Sequence, residues 1–351
     1  MNKLRRLSIS VRDGKVNVLI ARWLEEGYRC QIAAVDPRIQ VFYVAEQIAA
    51  ETKTPRGPID KASDERADVD LNSLLGEAEV IYGLRFPENI LERAPHLKWV
   101  QTSSAGVDTL VGTKLWQCDV ILTNASGIHA IPIREHVLGI MLMFVKYAPV
   151  YFANKQTKIW KQHMPDQLCG KTLGVVGLGR IGEAIARAAK VFDMRVVATR
   201  RFVTEHETSP VADTLYPSDK LLEMLEESDF VVVAVALTDE TRKLIGEREL
   251  RAMKPTAYII NIARGSVIDE AALTRALKEK WIAGAGLDVF EKEPLPQGSE
   301  LWTLPNVIIT PHVAGVMPDY NARAMEVFCE NLRRYLAGQP LMNVIDRTRG
   351  Y

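Results

Sequence analysis

The chain has 351 residues, of which 47% are hydrophobic and 25% are charged, a composition that predicts a globular protein with two substantial cores. Lysine and arginine together number 44, and aspartate and glutamate together also number 44. This balance excludes a net positive field that would gather nucleic acid or an anionic membrane surface, so we expect neither as a partner. Any anion must therefore be bound by a local group of residues.

Cysteine spacing and apolar runs restrict the class further. The 4 cysteines are far apart and show neither zinc-ligand spacing nor a disulfide framework, which predicts no metal site and a location in the reducing cytoplasm. The stretch from Met1 to Leu24 is interrupted by charges and lacks the apolar region of a signal peptide. The run Val137 to Val150 is shorter than the roughly 20 residues that cross a membrane, so it predicts a buried helix.

Apolar runs alternate with amphipathic segments along the chain, which is typical of an α/β fold with mainly parallel sheets. The first third contains five predicted strands: Val16–Ile20, Val41–Val44, Val80–Gly83, Trp99–Thr102 and Val120–Thr123. Six more follow: Thr172–Val176, Arg195–Ala198, Phe230–Val235, Tyr258–Asn261, Gly284–Asp288 and Val307–Thr310. The charged segment 51–70 predicts a solvated excursion, and the stretch from about Val316 to Leu336 predicts a last helix. Six strands with helices between them suit one complete dinucleotide-binding domain.

A glycine-rich turn lies between a predicted buried strand and a predicted helix. Residues 177–182 have the sequence Gly-Leu-Gly-Arg-Ile-Gly. In a dinucleotide site, Gly177 would allow the tight turn, Gly179 would let the backbone approach the pyrophosphate, and Gly182 would let the helix pack on the strand. Arg180 and Ile181 would open the helix, whose N-terminal N–H groups bind phosphate. The alternative is a glycine-rich turn within an ordinary α/β core.

The residues that would contact the adenosine ribose are basic. A site that prefers NAD usually carries an acidic residue about 20 positions after the glycine turn, to hold the ribose 2′-hydroxyl. Here the sequence is Thr199-Arg200-Arg201. A carboxylate would repel a 2′-phosphate, whereas guanidinium groups pair with it, so the sequence favours NADP over NAD. The alternative is that both arginines are solvated surface residues.

Three further motifs lie at or just after the ends of later predicted strands. They are residues 261–265 (Asn-Ile-Ala-Arg-Gly), 288–294 (Asp-Val-Phe-Glu-Lys-Glu-Pro) and 310–315 (Thr-Pro-His-Val-Ala-Gly). With the glycine turn, these motifs resemble the D-2-hydroxyacid dehydrogenase family from about Ile81 to Leu336. The resemblance implies two doubly wound parallel-sheet domains: a Rossmann domain for NAD(P) at 125–315, and a smaller flavodoxin-like substrate domain formed by 1–124 and 316–351. It also implies a homodimer that transfers hydride between NADP(H) and a small 2-oxo or D-2-hydroxy acid, like glyoxylate and hydroxypyruvate reductases.

By this resemblance, Arg264, Glu293 and His312 match the catalytic residues of the family. Reduction of a 2-oxo acid requires a proton on the carbonyl oxygen, which histidine can supply near neutral pH. A carboxylate bonded to that imidazole favours its protonated form, and a planar guanidinium can grip the substrate carboxylate. Glu293 is preferred to Glu291 and Asp288 because the family glutamate directly precedes proline. Taken singly, an arginine or a glutamate is usually a solvated surface charge.

The resemblance implies further contacts. Asp288 would bind the nicotinamide carboxamide, and the other cofactor contacts would be Leu237, Thr238, Ile262, Ala263 and Gly315. Ser104, Ala105 and Gly106 would form the loop that binds the substrate carboxylate, the alternative being a strand-to-helix turn with Ser103 or Ser104 as the cap. His129 and His136 lie in the segment that the family uses between domains and for dimers, and are expected to be structural. Trp302 is either an aromatic that closes the active site or a core tryptophan.

Two other functions are compatible with these motifs. Some relatives of this fold regulate transcription, so the first alternative is a dinucleotide-sensing corepressor or scaffold that binds a protein partner. The second is an oxidoreductase for a bulkier branched or aromatic 2-oxo acid. The dimensions of the substrate pocket would decide between a small and a bulky substrate, and activity itself would decide between an enzyme and a scaffold.

Overall fold

A computed structural model describes residues 14–55, 70–201, 203 and 208–350. The predicted solvated segment at 51–70 and the N-terminal stretch from Met1 lie largely outside these ranges. The chain divides into two compact units. The first contains residues up to Ile128 together with those from Met317 onward, and the second contains His129–Val316.

The first unit contains a five-stranded parallel sheet in the order β2-β1-β3-β4-β5. Its strands are β1 (Val16–Ala21), β2 (Ile39–Tyr43), β3 (Val80–Gly83), β4 (Trp99–Thr102) and β5 (Ile121–Thr123). Its helices are α1 (Glu26–Ala33), α2 (Ala45–Thr52), α3 (Leu71–Gly76), α4 (Ile90–Arg93), α5 (Lys114–Gln117) and α12 (Tyr320–Leu336). All five predicted strands are confirmed. The last helix begins at Tyr320 rather than near Val316, because Pro318 disfavours a helical conformation of the residue before it.

The second unit contains a seven-stranded parallel sheet in the order β12-β11-β10-β9-β6-β7-β8. Its strands are β6 (Thr172–Val176), β7 (Arg195–Arg200), β8 (Thr214–Pro217), β9 (Phe230–Val233), β10 (Tyr258–Asn261), β11 (Gly284–Leu287) and β12 (Val307–Ile309). Its helices are α6 (Ala130–Val145), α7 (Ala148–Gln156), α8 (Arg180–Val191), α9 (Leu221–Glu227), α10 (Glu247–Ala252) and α11 (Glu270–Lys278). Short 3-10 turns occupy Ser218–Lys220, Gly265–Val267 and Glu300–Thr303.

The prediction of six strands in this unit was wrong by one. The missed strand, β8, lies at the sheet edge and is half-buried along its length, and β7 is its one partner among the strands that the structure describes. An edge strand that ends in proline lacks the continuous apolar run that marks a central strand. By contrast, β6 and β9 are buried at every residue, as expected for strands covered by helices on both faces.

The order of the strands reverses at β6, which lies between β7 and β9. In an open parallel sheet, such a reversal leaves a crevice at the carboxyl ends of the two strands on either side, and ligands bind there. The glycine turn at 177–182 directly follows β6. The sheet therefore places this turn at the position where a dinucleotide is expected.

The apolar run predicted as one helix over Val137–Val150 is divided between two helices. The first, α6, buries Val137, Ile140 and Met141 but ends at Val145, and Tyr147 has a left-handed φ of +55° before α7 begins. The prediction of burial is confirmed for α6, whereas no residue of α7 is fully buried. Within the described ranges, no single helix is long and apolar enough to cross a membrane; α6 and α7 pass that criterion only as a pair, which bends by 65°.

Candidate active site

His312 and Glu293 are in direct side-chain contact. His312 follows β12 and Glu293 follows β11, so the parallel sheet brings them to the same edge. The Nδ1 of His312 lies 2.7 Å from Oε2 of Glu293, and the two side chains are 48% and 36% exposed. Since Nδ1 is engaged by the carboxylate, Nε2 is the ring nitrogen left to exchange a proton with a ligand.

This contact shifts the pKa values of both groups. The hydrogen bond that the imidazole of His312 donates to the Glu293 carboxylate raises the pKa of His312, against the opposing effects of burial and of the Arg264 charge. Burial would raise the pKa of Glu293, but the hydrogen bonds from His312 and from the N–H of Phe290, 3.1 Å from Oε1, outweigh it and lower that pKa. Glu293 is therefore a carboxylate, and His312 keeps its proton to a higher pH than a free imidazole would.

Arg264 follows β10, in a loop fixed by its own neighbours. The Asn261 side chain accepts from the N–H of Ala263 and donates to the carbonyl oxygen of Arg264, both at 3.1 Å. The guanidinium Nη1 donates to the carbonyl oxygen of Ala263 at 2.8 Å. The next residue must be glycine, because a Cβ at Gly265 would overlap the carbonyl carbon of Phe290. This close approach joins the loop of Arg264 to the loop that carries Glu293.

The buried carboxylate of Asp288 organises the loop that carries His312. Its Oδ1 accepts from the N–H of Val313 and its Oδ2 from the N–H of Ala314, both at 2.9 Å, and its carbonyl oxygen accepts from the N–H of His312 at 2.8 Å. The hydroxyl of Thr310 donates to Oδ1 at 2.6 Å. Asp288 thus has a structural role that the sequence motif did not indicate. Its contact with the nicotinamide carboxamide stays a prediction.

The glycine turn after β6 fits a dinucleotide phosphate. Gly177 has a φ of +97°, and its N–H donates to the hydroxyl of Thr199 at 3.1 Å, so Thr199 ties the turn to β7. A Cβ at Gly182 would overlap the carbonyl oxygen of Gly177, which means that the fold itself requires this glycine. A Cβ at Gly179, in contrast, would meet no described atom within 4 Å. The open space at Gly179, just before the first N–H groups of α8 at Arg180 and Ile181, is what an approaching phosphate needs.

The two arginines proposed for the 2′-phosphate lie at the end of β7. Arg200 is 3.4 Å from a carboxylate oxygen of Glu183, and Arg201 pairs with Glu240. Both guanidinium groups are partly exposed. Ion pairs at this exposure contribute about 0–1 kcal/mol, so a phosphate can displace the carboxylates at little cost. Binding of the 2′-phosphate by Arg200 and Arg201 stays a prediction.

The other predicted cofactor residues follow the carboxyl ends of β9, β10 and β12. Thr238 comes after β9 with Leu237, and its N–H donates to the hydroxyl of Thr241 at 2.8 Å. Ile262 and Ala263 are buried directly after β10. Gly315 follows the loop of His312, where a Cβ would lie 2.8 Å from the ring of His129. The sheet thus brings these residues to the edge that also holds the glycine turn.

In the first unit, Ser104, Ala105 and Gly106 follow β4. The hydroxyl of Ser104 donates to the carbonyl oxygen of Gly106 at 2.7 Å, and the side chain of Asn124 donates to the carbonyl oxygen of Ala105 at 2.9 Å. The N–H groups of Ala105 and Gly106 donate to no acceptor among the described residues, which leaves them available to a carboxylate. The alternative of a capped helix is wrong, because the next helix begins only at Lys114.

Arg22 is a buried charge beside this loop that no sequence motif indicated. It follows β1, is 8% exposed, and donates from Nη1 to the hydroxyl of Ser103 at 2.6 Å. The hydroxyl of Tyr320 donates to the carbonyl oxygen of the same serine at 2.8 Å, and the Arg22 guanidinium lies 5.8 Å from the Tyr320 ring centre. These contacts fix the residue that precedes Ser104. The only sequence signal was an arginine at the carboxyl end of an apolar strand.

Two histidines and a tryptophan complete the second unit's candidate residues. Burial lowers the pKa of His129 to about 4, with a smaller contribution from the Arg264 charge. Burial also lowers the pKa of His136, against the charge of Asp288. Both imidazoles are therefore neutral near pH 7. Trp302 is 52% exposed and donates to the carbonyl oxygen of Pro296 at 3.0 Å, so the alternative of a core tryptophan is wrong.

Comparisons with known proteins agree with this arrangement. A family model for the NAD binding domain of D-isomer specific 2-hydroxyacid dehydrogenases matches residues 138–314. A glyoxylate reductase of Pyrococcus furiosus is 36% identical over 292 residues, which cover 80% of this chain and 84% of the relative. A glyoxylate reductase of Korarchaeum cryptofilum is 37% identical over 264 residues, which cover 74% of this chain and 79% of the relative.

Solved structures show the same fold. A D-isomer specific 2-hydroxyacid dehydrogenase family protein from Aeromonas salmonicida has a TM-score of 0.78 and 31% identity, covering 95% of this chain and 99% of its own. A D-isomer specific 2-hydroxyacid dehydrogenase from Xanthobacter autotrophicus, in complex with NADPH and MES, has a TM-score of 0.79 and 29% identity. That similarity covers 96% of this chain and 100% of the other.

Proposed function

This chain belongs to the D-isomer specific 2-hydroxyacid dehydrogenase family, and we propose that it uses NADPH to reduce a small 2-oxo acid, with glyoxylate and hydroxypyruvate as the leading candidates. It is an NAD(P)-dependent oxidoreductase that interconverts 2-oxo and 2-hydroxy acids. The observation that carries the proposed mechanism is the contact of 2.7 Å between His312 and Glu293. The choice of a small substrate is supported by the similarity to the glyoxylate reductases of Pyrococcus furiosus and Korarchaeum cryptofilum.

His312, Glu293 and Arg264 are proposed to have different roles in the reduction. His312 donates the proton on Nε2 to the carbonyl oxygen at C2, and Glu293 stabilises the imidazolium before that donation. Arg264 binds the substrate carboxylate with its planar fork and polarises the carbonyl group. NADPH, when bound, supplies the hydride that C2 receives. The product is then the 2-hydroxy acid, with one hydrogen from the cofactor and one from His312.

Binding residues are proposed on the same basis. The glycine turn and the first N–H groups of α8 are proposed to hold the pyrophosphate, because the space at Gly179 is open and α8 begins at the next residue. Leu237, Thr238, Ile262, Ala263 and Gly315 are proposed to contact the cofactor. The N–H groups of Ala105 and Gly106 are proposed to bind the substrate carboxylate.

A substrate panel tests this function. We expect NADPH oxidation with glyoxylate, hydroxypyruvate or pyruvate, and slower oxidation with 2-oxoisovalerate and phenylpyruvate. The variant His312→Ala should lose turnover and still bind NADPH. The control His96→Ala changes an exposed histidine of the first unit and should keep both turnover and NADPH binding. Fast turnover of only the bulky acids would correct the substrate class. No turnover with any of the five, from protein that binds NADPH, would favour the sensing scaffold instead.

The preference for NADPH has its own test. We expect Arg200→Gln and Arg201→Gln to raise the KM for NADPH by about 10-fold or more, since a hydrogen bond to a charged group contributes about 1.5–3 kcal/mol. The KM for NADH should stay the same, because NADH has no 2′-phosphate. Arg187→Gln, which removes an exposed charge from α8, is the matched control. Equal effects on both cofactors would contradict the assignment.

We also propose that the protein is a homodimer. The segment from 150 to 164 exposes large apolar side chains: Phe152 is 59% exposed, Met164 is 88% exposed and Trp160 is 96% exposed. Apolar groups this exposed and this close in sequence are typical of an interface between subunits. Sedimentation equilibrium tests the assignment. We expect a dimer that Trp160→Glu weakens, and a wild-type monomer at micromolar concentration would contradict it.

A cytoplasmic location is proposed as well. The cysteines are free thiols, and Cys30 and Cys169 are exposed, which fits a reducing compartment. Fractionation of cells that express the protein tests this, and recovery from the membrane or an oxidising compartment would contradict it.

A further inference from the structure

The backbone at His312 has a conformation that needs support. Its φ is +55°, in the left-handed region that residues with a side chain seldom adopt. Three consecutive N–H groups, those of His312, Val313 and Ala314, all donate to Asp288, the first to its carbonyl oxygen and the other two to its carboxylate. A change in the orientation of this carboxylate would release two of the three bonds. The position of His312 therefore depends on how the Asp288 carboxylate is held.

The carboxylate is bonded by the hydroxyl of Thr310, which His136 contacts from another part of the second unit. The hydroxyl of Thr310 donates to Oδ1 of Asp288 at 2.6 Å, and the Nε2 of His136, on α6, lies 3.3 Å from the same hydroxyl oxygen. A hydroxyl has one hydrogen, and here the carboxylate receives it. The imidazole must therefore donate from Nε2, which it can do as a neutral ring. The same Nε2 is 4.0 Å from Oδ1 of Asp288, so the three groups form one contiguous set.

We propose that Thr310 and His136 are positioning residues for His312: their hydrogen bonds fix the Asp288 carboxylate that holds the left-handed turn. This inference rests on the proposed function, because it assigns both residues to the placement of the acid/base histidine. Neither residue is proposed to touch the substrate. The ordered path runs from His136 to Thr310, to Asp288, and then to the backbone N–H groups around His312.

The alternative role for this set is to stabilise the fold only. Asp288 is buried, and a bonded buried carboxylate contributes to folding wherever it lies. A purely structural role would lower the fraction of folded protein and leave turnover per folded site unchanged. A positioning role would lower turnover per site and change the protonation of His312, because the imidazole would move relative to Glu293, Arg264 and Asp288, the charged groups that act on it.

The test compares variants that differ by one hydroxyl. Thr310→Val keeps the size of the side chain and removes the donor, whereas Thr310→Ser keeps the donor. We expect kcat per NADPH-binding site to fall about 10-fold or more in Thr310→Val, since small displacements of a reacting group have effects of this size. Thr310→Ser should stay within about three-fold of the wild type. The comparison uses kcat at saturating NADPH, so that a change in the predicted contact of Asp288 with the nicotinamide does not enter it. Thr274→Val, which removes a hydroxyl that bonds within α11, is the matched control.

A second measurement does not need turnover. In an NMR titration, the His312 imidazole should lose its proton at lower pH in Thr310→Val than in the wild type, with Thr310→Ser close to the wild type. If Thr310→Val does not fold, the pair His136→Leu and His136→Gln replaces it, because glutamine keeps a donor at the position of Nε2.

The outcomes separate the two proposals. Turnover per site and a His312 titration that are unchanged in Thr310→Val would overturn the positioning role, as would equal losses in Thr310→Val and Thr310→Ser, or a loss explained by weaker NADPH binding. A wild-type protein that binds NADPH and reduces no 2-oxo acid would instead contradict the proposed function. In that case the titration alone decides whether Thr310 positions His312.

Discussion

Replacing Glu293 by glutamine removes the charge that faces His312 and keeps the size of the side chain. The Glu293 carboxylate raises the pKa of His312, so the variant should have a lower pKa at this imidazole. Reduction needs the protonated imidazole, and its rate therefore persists below that pKa and falls as the pH rises through it. The falling limb of the pH profile should move to lower pH in Glu293→Gln. In the oxidation direction, which needs the neutral imidazole, the rising limb should move to lower pH as well.

The size of the effect follows from the geometry. The contact distance of 2.7 Å is short, but both side chains are partly exposed, so solvent screens the pair. A screened pair of good geometry contributes about 1 kcal/mol. On the alkaline side of the profile, this corresponds to a loss of about five-fold in kcat/KM for reduction. Any loss of imidazole orientation would add to this factor at every pH.

The assay is the initial rate of NADPH oxidation with the best 2-oxo acid, measured between about pH 5 and pH 9. Glu291→Gln is the matched control: it makes the same chemical change two residues earlier, at an exposed position. We expect its profile to match that of the wild type. If the Glu293→Gln profile superimposes on the wild type, or if Glu291→Gln shifts it equally, the assigned role of Glu293 is refuted.

Three other predictions follow from the site geometry. Gly179→Ala should weaken NADPH binding about 10-fold or more without lowering the melting temperature, whereas Gly182→Ala should destabilise the fold by about 1–3 kcal/mol. Thermal melts and NADPH titrations test this prediction, and equal destabilisation by the two variants would contradict it. Arg264→Lys should lower kcat/KM about 10- to 100-fold, because the charge remains but the planar fork is lost; steady-state kinetics test this, and unchanged values would contradict it. The pKa of His129 is about 4 in the folded protein, below the value of about 6.5 in the unfolded chain, so the unfolded chain takes up the proton at a higher pH than the folded protein does. The contribution of neutral His129 to the free energy of unfolding is therefore complete above about pH 6.5 and is lost as the pH falls toward 4. The free energy of unfolding, measured with urea, should depend less on pH in His129→Gln than in the wild type. An identical pH dependence would contradict this prediction.

The central strands could be predicted from the sequence because their signal is local. Four strands are confirmed to the residue: Val80–Gly83, Trp99–Thr102, Thr172–Val176 and Tyr258–Asn261. Each contains at least two consecutive apolar residues close to a turn residue or a charged residue. The edge strand Thr214–Pro217 has one neighbour among the described strands and is half-buried along its length, so it does not require an apolar residue at each position. Parallel strands covered on both faces are the ones that composition can identify.

The candidate catalytic residues could be predicted because each lies in a short motif at the end of a strand. The sheet then brings the three motifs to one edge without any further information. What holds those residues in place could not be predicted. Thr310 and His136 are 174 positions apart, and Arg22 and Ser103 are 81 positions apart. No periodicity or spacing links residues at such distances, because their contact depends on the packing of whole elements.

Asp288 shows the limit of assigning one role to one motif residue. The sequence motif predicted a contact with the nicotinamide, and that contact stays a prediction. The structure adds three backbone and side-chain hydrogen bonds to its carboxylate, from Thr310, Val313 and Ala314. A buried carboxylate needs such partners, but only the structure shows which donors supply them.

The most direct test of the proposed function is the fate of the hydrogen at C4 of the nicotinamide. We would incubate the protein with hydroxypyruvate and NADPH deuterated at C4, on each face in turn, and analyse the product by mass spectrometry. We expect a 2-hydroxy acid with one deuterium at C2 from one of the two labelled cofactors, and no product with the His312→Ala variant. A product without deuterium from either cofactor, or equal product from His312→Ala, would contradict the proposed function.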